Sequence, residues 1–144
     1  MTKSDAAVAC FRQGFSCSQA VLSAFAGDLG LELETALRLS QPFGGGIARR
    51  ADWCGALTGA FLAVGLKYGR TKVEDAAARD RTYAFVNELV ARFEARHGAV
   101  KCRDLLGCDI GTPAGQKEAD DRKLHQTICE ELVRDAAALL EEIL

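Results

Sequence analysis

Only two prolines, Pro42 and Pro113, interrupt a chain of 144 residues that is otherwise rich in alanine and leucine. Proline is the residue a helix interior tolerates least, at a cost of about 3 kcal/mol. Its scarcity leaves long stretches free to be helical. Strand signals are missing as well: there is no sustained Val-Ile-Thr alternation and no Asn-Gly or Asp-Gly turn. The expected fold is a single all-α domain over residues 1–144, a bundle of four or five main helices with short extra helices.

Local punctuation places those helices. The first runs from near Ser4 to Arg12 and stops at Gly14. Ser16-Cys17-Ser18-Gln19 reads as a capping box that opens a second helix to about Leu29, burying Ala20, Val21, Ala24 and Phe25. Leu33, Ala36, Leu37 and Ser40 line a third helix, which Pro42 and Gly44-Gly45-Gly46 break. A fourth helix is expected from Asp52 to Tyr68. It is apolar and carries Gly55, Gly59 and Gly65, so it belongs at the centre with another backbone pressed against it. Thr71-Lys72-Val73-Glu74 reads as a second capping box. The long helix after it has Val73, Ala76, Tyr83, Val86, Val90 and Phe93 on one face and a stop at His97-Gly98. A short turn spans Cys102 to Leu106, and Thr112-Pro113 starts another short helix. Thr127 to Glu130 reads as a third capping box, opening a last amphipathic helix through Leu132, Val133, Ala136, Leu140 and Ile143.

Charge and hydropathy exclude several functions. A net charge of −2 provides no basic footprint for nucleic acid. The longest apolar stretch, Cys54 to Leu66, falls short of the ~20 residues that span a bilayer, so no membrane span is expected. The N-terminal residues do not read as an export signal, and a cytoplasmic location is the expectation. Cytosolic thiols are normally reduced, so the six cysteines read as redox-active or metal-binding rather than as a disulfide framework.

No CxxC occurs among Cys10, Cys17, Cys54, Cys102, Cys108 and Cys129, so placement carries more than spacing. Cys17 follows the Ser16 cap directly. Cys54 and Cys129 each fall two residues after an expected cap, Asp52 and Thr127. Cys102 opens a helical turn. Unpaired N–H groups at helix starts carry partial positive charge, which favours thiolate over thiol. These four are the candidate site. Cys10, flanked by Ala7, Val8 and Phe11 in mid-helix, reads as an inert small hydrophobe. The segment Phe43 to Arg50 leads into Cys54. Its Gly44, Gly45 and Gly46, with Arg49, read either as a cradle for a phosphate, carboxylate or thiolate or as a plain connector. His125 stands four residues before Cys129, where a base or ligand is conceivable. The charged stretch Asp120-Asp121-Arg122-Lys123 instead reads as surface, and His97 and His125 are left outside the expected site.

Taken together, Gly14 to Val21, Phe43 to Gly46, Cys54-Gly55-Ala56-Leu57-Thr58-Gly59, Cys102 to Cys108 and Cys129 to Ala137 resemble the C_GCAxxG_C_C family, whose name attributes redox activity to its members. The resemblance covers nearly the whole chain. It implies four defining cysteines, which map onto Cys17, Cys54, Cys102 and Cys129, with Cys108 as a fifth participant. It implies no substrate.

Three functions follow. The first is a cytosolic redox protein using thiol–disulfide or electron-transfer chemistry. Cys54 would be its nucleophile, a second cysteine would resolve it, and the partner would be an unspecified redox protein or small molecule. The second is a protein that binds a metal ion or iron–sulfur cluster through Cys17, Cys54, Cys102 and Cys129, with Cys108 as a further ligand. The third is an interaction or homo-oligomerisation module without chemistry, built on the apolar fourth helix.

Overall fold

The computed structural model describes residues 1–144 and is all-helical apart from one isolated bridge between Trp53 and Lys101. Its helices are α1 (Lys3–Arg12), α2 (Cys17–Ala26), α3 (Leu33–Ser40), the single turn α4 (Gly44–Ile47), α5 (Gly55–Tyr68), α6 (Ala76–His97), α7 (Cys102–Leu106), α8 (Pro113–Asp121) and α9 (Glu130–Ile143). A 3-10 turn, Gln41–Phe43, precedes α4, and a π-turn, His125–Cys129, runs into α9. No helix is long and apolar enough to cross a membrane.

Five helices, α1, α2, α5, α6 and α9, pack as the expected bundle. Their shared core holds Val8, Leu22, Leu57, Val64, Leu89, Phe93, Val133 and Leu140. The closest crossing is α2 on α5, and Gly59 makes it possible. A Cβ at Gly59 would stand 2.5 Å from the Ser18 carbonyl oxygen, so only a glycine lets the two backbones approach this far. The expectation of a backbone pressed against the glycine-rich helix is met there.

A second, smaller cluster holds Ala51, Leu106, Ile110, Ala119, Leu124 and Cys129. It lies under a cap formed by α7, α8 and the segment from Gln41 to Cys54. Cys17 packs against both clusters, so the junction between bundle and cap runs through that thiol.

Three expected helix starts are corrected. The central helix begins at Gly55 with Cys54, not Asp52, at the cap position. The chain is still extended before it, because Trp53 bridges Lys101 and the Cys54 N–H donates to the Val100 carbonyl at 2.9 Å. The long helix is capped by Asp75, whose carboxylate accepts from the Ala78 N–H at 3.1 Å, rather than by Thr71. Its buried face is Ala78, Leu89 and Phe93, with Phe85 and Val86 alongside. Val73 and Tyr83 are 84% and 61% exposed. Thr127 caps nothing: it lies within the π-turn, and its hydroxyl donates to the Lys123 carbonyl. The second helix ends at Ala26, before Leu29. The caps expected at Ser16 and Thr112, and the stop at Gly98, stand as expected.

Candidate functional site

Cys17 is held by the capping box in which it lies. The Ser16 hydroxyl accepts from the Gln19 N–H, and the Gln19 Oε1 accepts from the Ser16 N–H at 3.0 Å. Gln19 and the buried Ser18 also bond to α3. Gln19 Nε2 donates to the Leu37 carbonyl at 3.0 Å, and the Ser18 hydroxyl donates to the Ser40 carbonyl at 2.8 Å. The Ser40 carbonyl at the α3 C-terminus thereby gains a side-chain partner, and the Leu37 carbonyl, which also accepts from the Gln41 N–H, gains a second donor. The first turn of α2 cannot rotate without breaking these bonds.

Cys54 and Cys102 are positioned by one another's strands of chain. The Cys102 N–H donates to the Asp52 carbonyl at 2.6 Å, and the Arg103 N–H donates to the Ala51 carbonyl at 3.1 Å. The Arg103 guanidinium reaches further back, donating to the Ala51 and Arg50 carbonyls at 3.1 and 3.2 Å. That cation clamps α7 to the end of the glycine-rich segment. The segment itself turns in the left-handed sense. Gly45, Gly46, Ile47, Ala48, Arg49 and Ala51 all have φ between +49° and +69°. For non-glycine residues the left-handed region costs about 1–2 kcal/mol each, so the turn persists only because its surroundings dictate it.

Cys129 closes the π-turn, in which the Glu130 N–H donates to the His125 carbonyl. The start of α9 is tied to α1 by a two-pronged ion pair, with Arg12 Nε and Nη2 at 2.6 and 3.1 Å from the Glu130 carboxylate.

These elements enclose a pocket of about 990 Å3. Cys17, Cys54, Cys102 and Cys129 all line it, as do Gly44, Gly45, Gly46 and Arg49. These eight residues reach one pocket from four sequence-distant segments. Cys108 lies outside the pocket, packed on the smaller cluster beside Glu118. Cys10 also lies outside it, within the bundle, where its sulfur accepts from the Ser23 hydroxyl at 3.3 Å. No three His, Cys, Asp or Glu side chains stand in metal-ligating geometry.

The electrostatics correct the expectation that helix starts make all four thiols acidic. Burial pushes the Cys54 thiol up to about 11, although the Ala56 and Leu57 N–H groups pull the other way. Burial, followed by the charges of Cys54 and Cys129, pushes Cys102 up to about 12. Desolvation and mutual repulsion outweigh the helix terminus. Cys129 differs. The Cys17 thiol and the His125 imidazole hold Cys129 below the ordinary thiol range, against the effect of burial. Cys129, with burial, holds Cys17 well above that range. His125 is raised, first by its bond to the Cys129 sulfur.

His125 is the residue that sequence reasoning left out. Its outer edge is exposed, as a surface histidine's would be, yet it lines the pocket. The four-residue spacing to Cys129 was the available signal.

The family model described as "Putative redox-active protein (C_GCAxxG_C_C)" matches residues 15–143. Comparison with curated proteins and with solved structures found no match.

Proposed function

The chain belongs to the C_GCAxxG_C_C family, and on that premise we propose that Cys129 and Cys17 form a redox-active dithiol, with Cys129 as nucleophile, Cys17 as resolving thiol and His125 as acid and base. The carrying observation is that Cys17, Cys129 and His125 line one pocket, where the Cys17 thiol and the His125 imidazole both favour the charged form of Cys129. A thiolate is the reacting form in thiol–disulfide exchange, and an adjacent thiol is needed to release the mixed disulfide.

The Cys129 thiolate attacks one sulfur of a disulfide, whose S–S bond breaks. The departing thiolate takes a proton from His125. Cys17 gives its proton to the now neutral His125 and attacks the Cys129 sulfur; the mixed S–S bond breaks, and the second substrate sulfur leaves as a thiolate that takes that proton from His125. The protein gains a Cys17–Cys129 disulfide, and the substrate disulfide is reduced by two electrons. In a reducing cytosol the resting form is the dithiol.

This assignment moves the nucleophile from Cys54, the expectation from sequence, to Cys129. Cys54 has no side-chain partner that stabilises its charge, and burial opposes ionisation. Mild oxidation followed by peptide mapping tests the reading. The expected product is a single Cys17–Cys129 link that dithiothreitol reverses. A link between Cys54 and Cys102, or no link, overturns it.

A further inference from the structure

We infer that the pocket takes a low-molecular-weight disulfide bearing carboxylates, anchored by the Arg49 guanidinium. The inference rests on the dithiol reading above and names its substrate class.

Access argues for a small molecule. Cys129 is 6% exposed and Cys54 is 4% exposed, and Cys17 and Cys102 are half-buried, so none of the four thiols stands out on the surface. Its volume of about 990 Å3 lies at the upper end of small-molecule sites, roughly 300–1,000 Å3. The Arg12–Glu130 ion pair crosses its wall. A disulfide on the surface of a folded protein would have to enter past these residues, whereas a free disulfide of peptide size fits between them.

Charge argues for an anion. Four formally charged side chains line the pocket along with His125: Arg12, Arg49, Asp120 and Glu130. Arg12 and Glu130 neutralise each other, and Asp120 acts on His125. Arg49 alone has no carboxylate within ion-pair distance. Its charge reaches His125, so it stands near the reacting sulfurs. Guanidinium is the side chain best matched to a carboxylate, through two parallel hydrogen bonds.

The position of Arg49 is built rather than incidental. Its backbone is left-handed, with φ of +64°. A Cβ on residue 45 would stand 2.9 Å from the Arg49 Cγ, so Gly45 leaves the room through which the arginine stem passes. Both features of the glycine-rich turn therefore serve to place one unpaired cation beside a dithiol. Arg50, the next residue, does not line the pocket.

Reduced protein is mixed with glutathione disulfide, which is anionic, and with cystamine, which is cationic, and the loss of two thiols is followed by stopped flow. Rates are compared with those of free dithiothreitol to remove intrinsic reactivity. The expected result is a preference for glutathione disulfide of about tenfold. Arg49→Gln should raise the half-saturating concentration of glutathione disulfide by about tenfold and leave the cystamine rate within about twofold. Arg49→Lys should restore part of the loss, and Arg50→Gln should change neither rate. Equal rates with the two probes, or equal slowing of both by Arg49→Gln, overturns the anchoring role while the dithiol reading stands. Oxidation of Cys17 and Cys129 by neither probe overturns both.

Discussion

Of the five non-glycine residues with left-handed backbone, Ile47, Ala48, Arg49 and Ala51 lie in the cap and Lys123 in the turn that follows α8, and the five bundle helices contain none. The π-turn also belongs to the cap side, at the entry to α9. The bundle buries its side chains in one continuous core of 22 residues, against 6 beneath the cap. Regular geometry and a large core go together in one region, and strained geometry over a small core in the other. Strain of this kind collects where a site must hold side chains in positions that a relaxed backbone would not adopt. The bundle supplies the stability that lets the cap keep such a conformation.

The most severe test of this division is chemical. Cys129→Ser should reduce reversible disulfide formation by at least about a thousandfold, roughly 4 kcal/mol, read as thiol loss under mild oxidation. Cys10→Ser, within the bundle, should leave the rate unchanged. Equal losses would erase the distinction between the two regions.

Alkaline pH should act on the buried thiols at the junction. Cys54 has a folded-state pKa raised from 9.0 to about 11. Its contribution is fully present below the unfolded value and is lost as pH rises through the folded one. Denaturant melts should therefore show stability falling from about pH 9 toward 11, by on the order of 3 kcal/mol from this group. Cys54→Ala should flatten that slope, and an unchanged slope would mean that Cys54 is solvated. Cys129, shifted the other way, contributes stability that is lost as pH falls below the ordinary thiol range.

One methyl group should have opposite effects in the two regions. Gly59→Ala places a Cβ against the Ser18 carbonyl and should destabilise the bundle by about 2 kcal/mol in urea melts, as overpacking does. Ala48→Gly removes a Cβ from a residue at φ +49° and should stabilise the cap by about 1 kcal/mol. Between these in size lies His125→Gln. Alkylation of Cys129 at pH 7 should slow by roughly tenfold, about 1.4 kcal/mol, and the pH profile should move upward. An unmoved profile would show that the Cys17 thiol alone sustains the charge.

Much of the bundle was legible because its signals are local. The Ser16–Gln19 box, the Thr112-Pro113 start and the Gly98 stop each act within one turn. The misplaced starts at Asp52, Thr71 and Thr127 share one cause: a distant or competing partner decided them. Lys101 keeps Trp53 extended, Asp75 offers a carboxylate where Thr71 offers a hydroxyl, and Lys123 takes the Thr127 hydroxyl. The four pocket cysteines were legible as a set, because each stands at or near a helix start. Their unequal acidity was not.

The sequence by itself determined that this chain is helical, where most of its helices stop, and which cysteines stand at or near helix starts, since those properties follow from residue spacing within a few turns. Tertiary structure alone decided that Cys17, Cys129 and His125 share one pocket, and that burial pushes Cys54 and Cys102 up while Cys129 is drawn down. A thiol's charge depends on the solvent it loses and the groups it meets, and both are set by segments far apart in the chain.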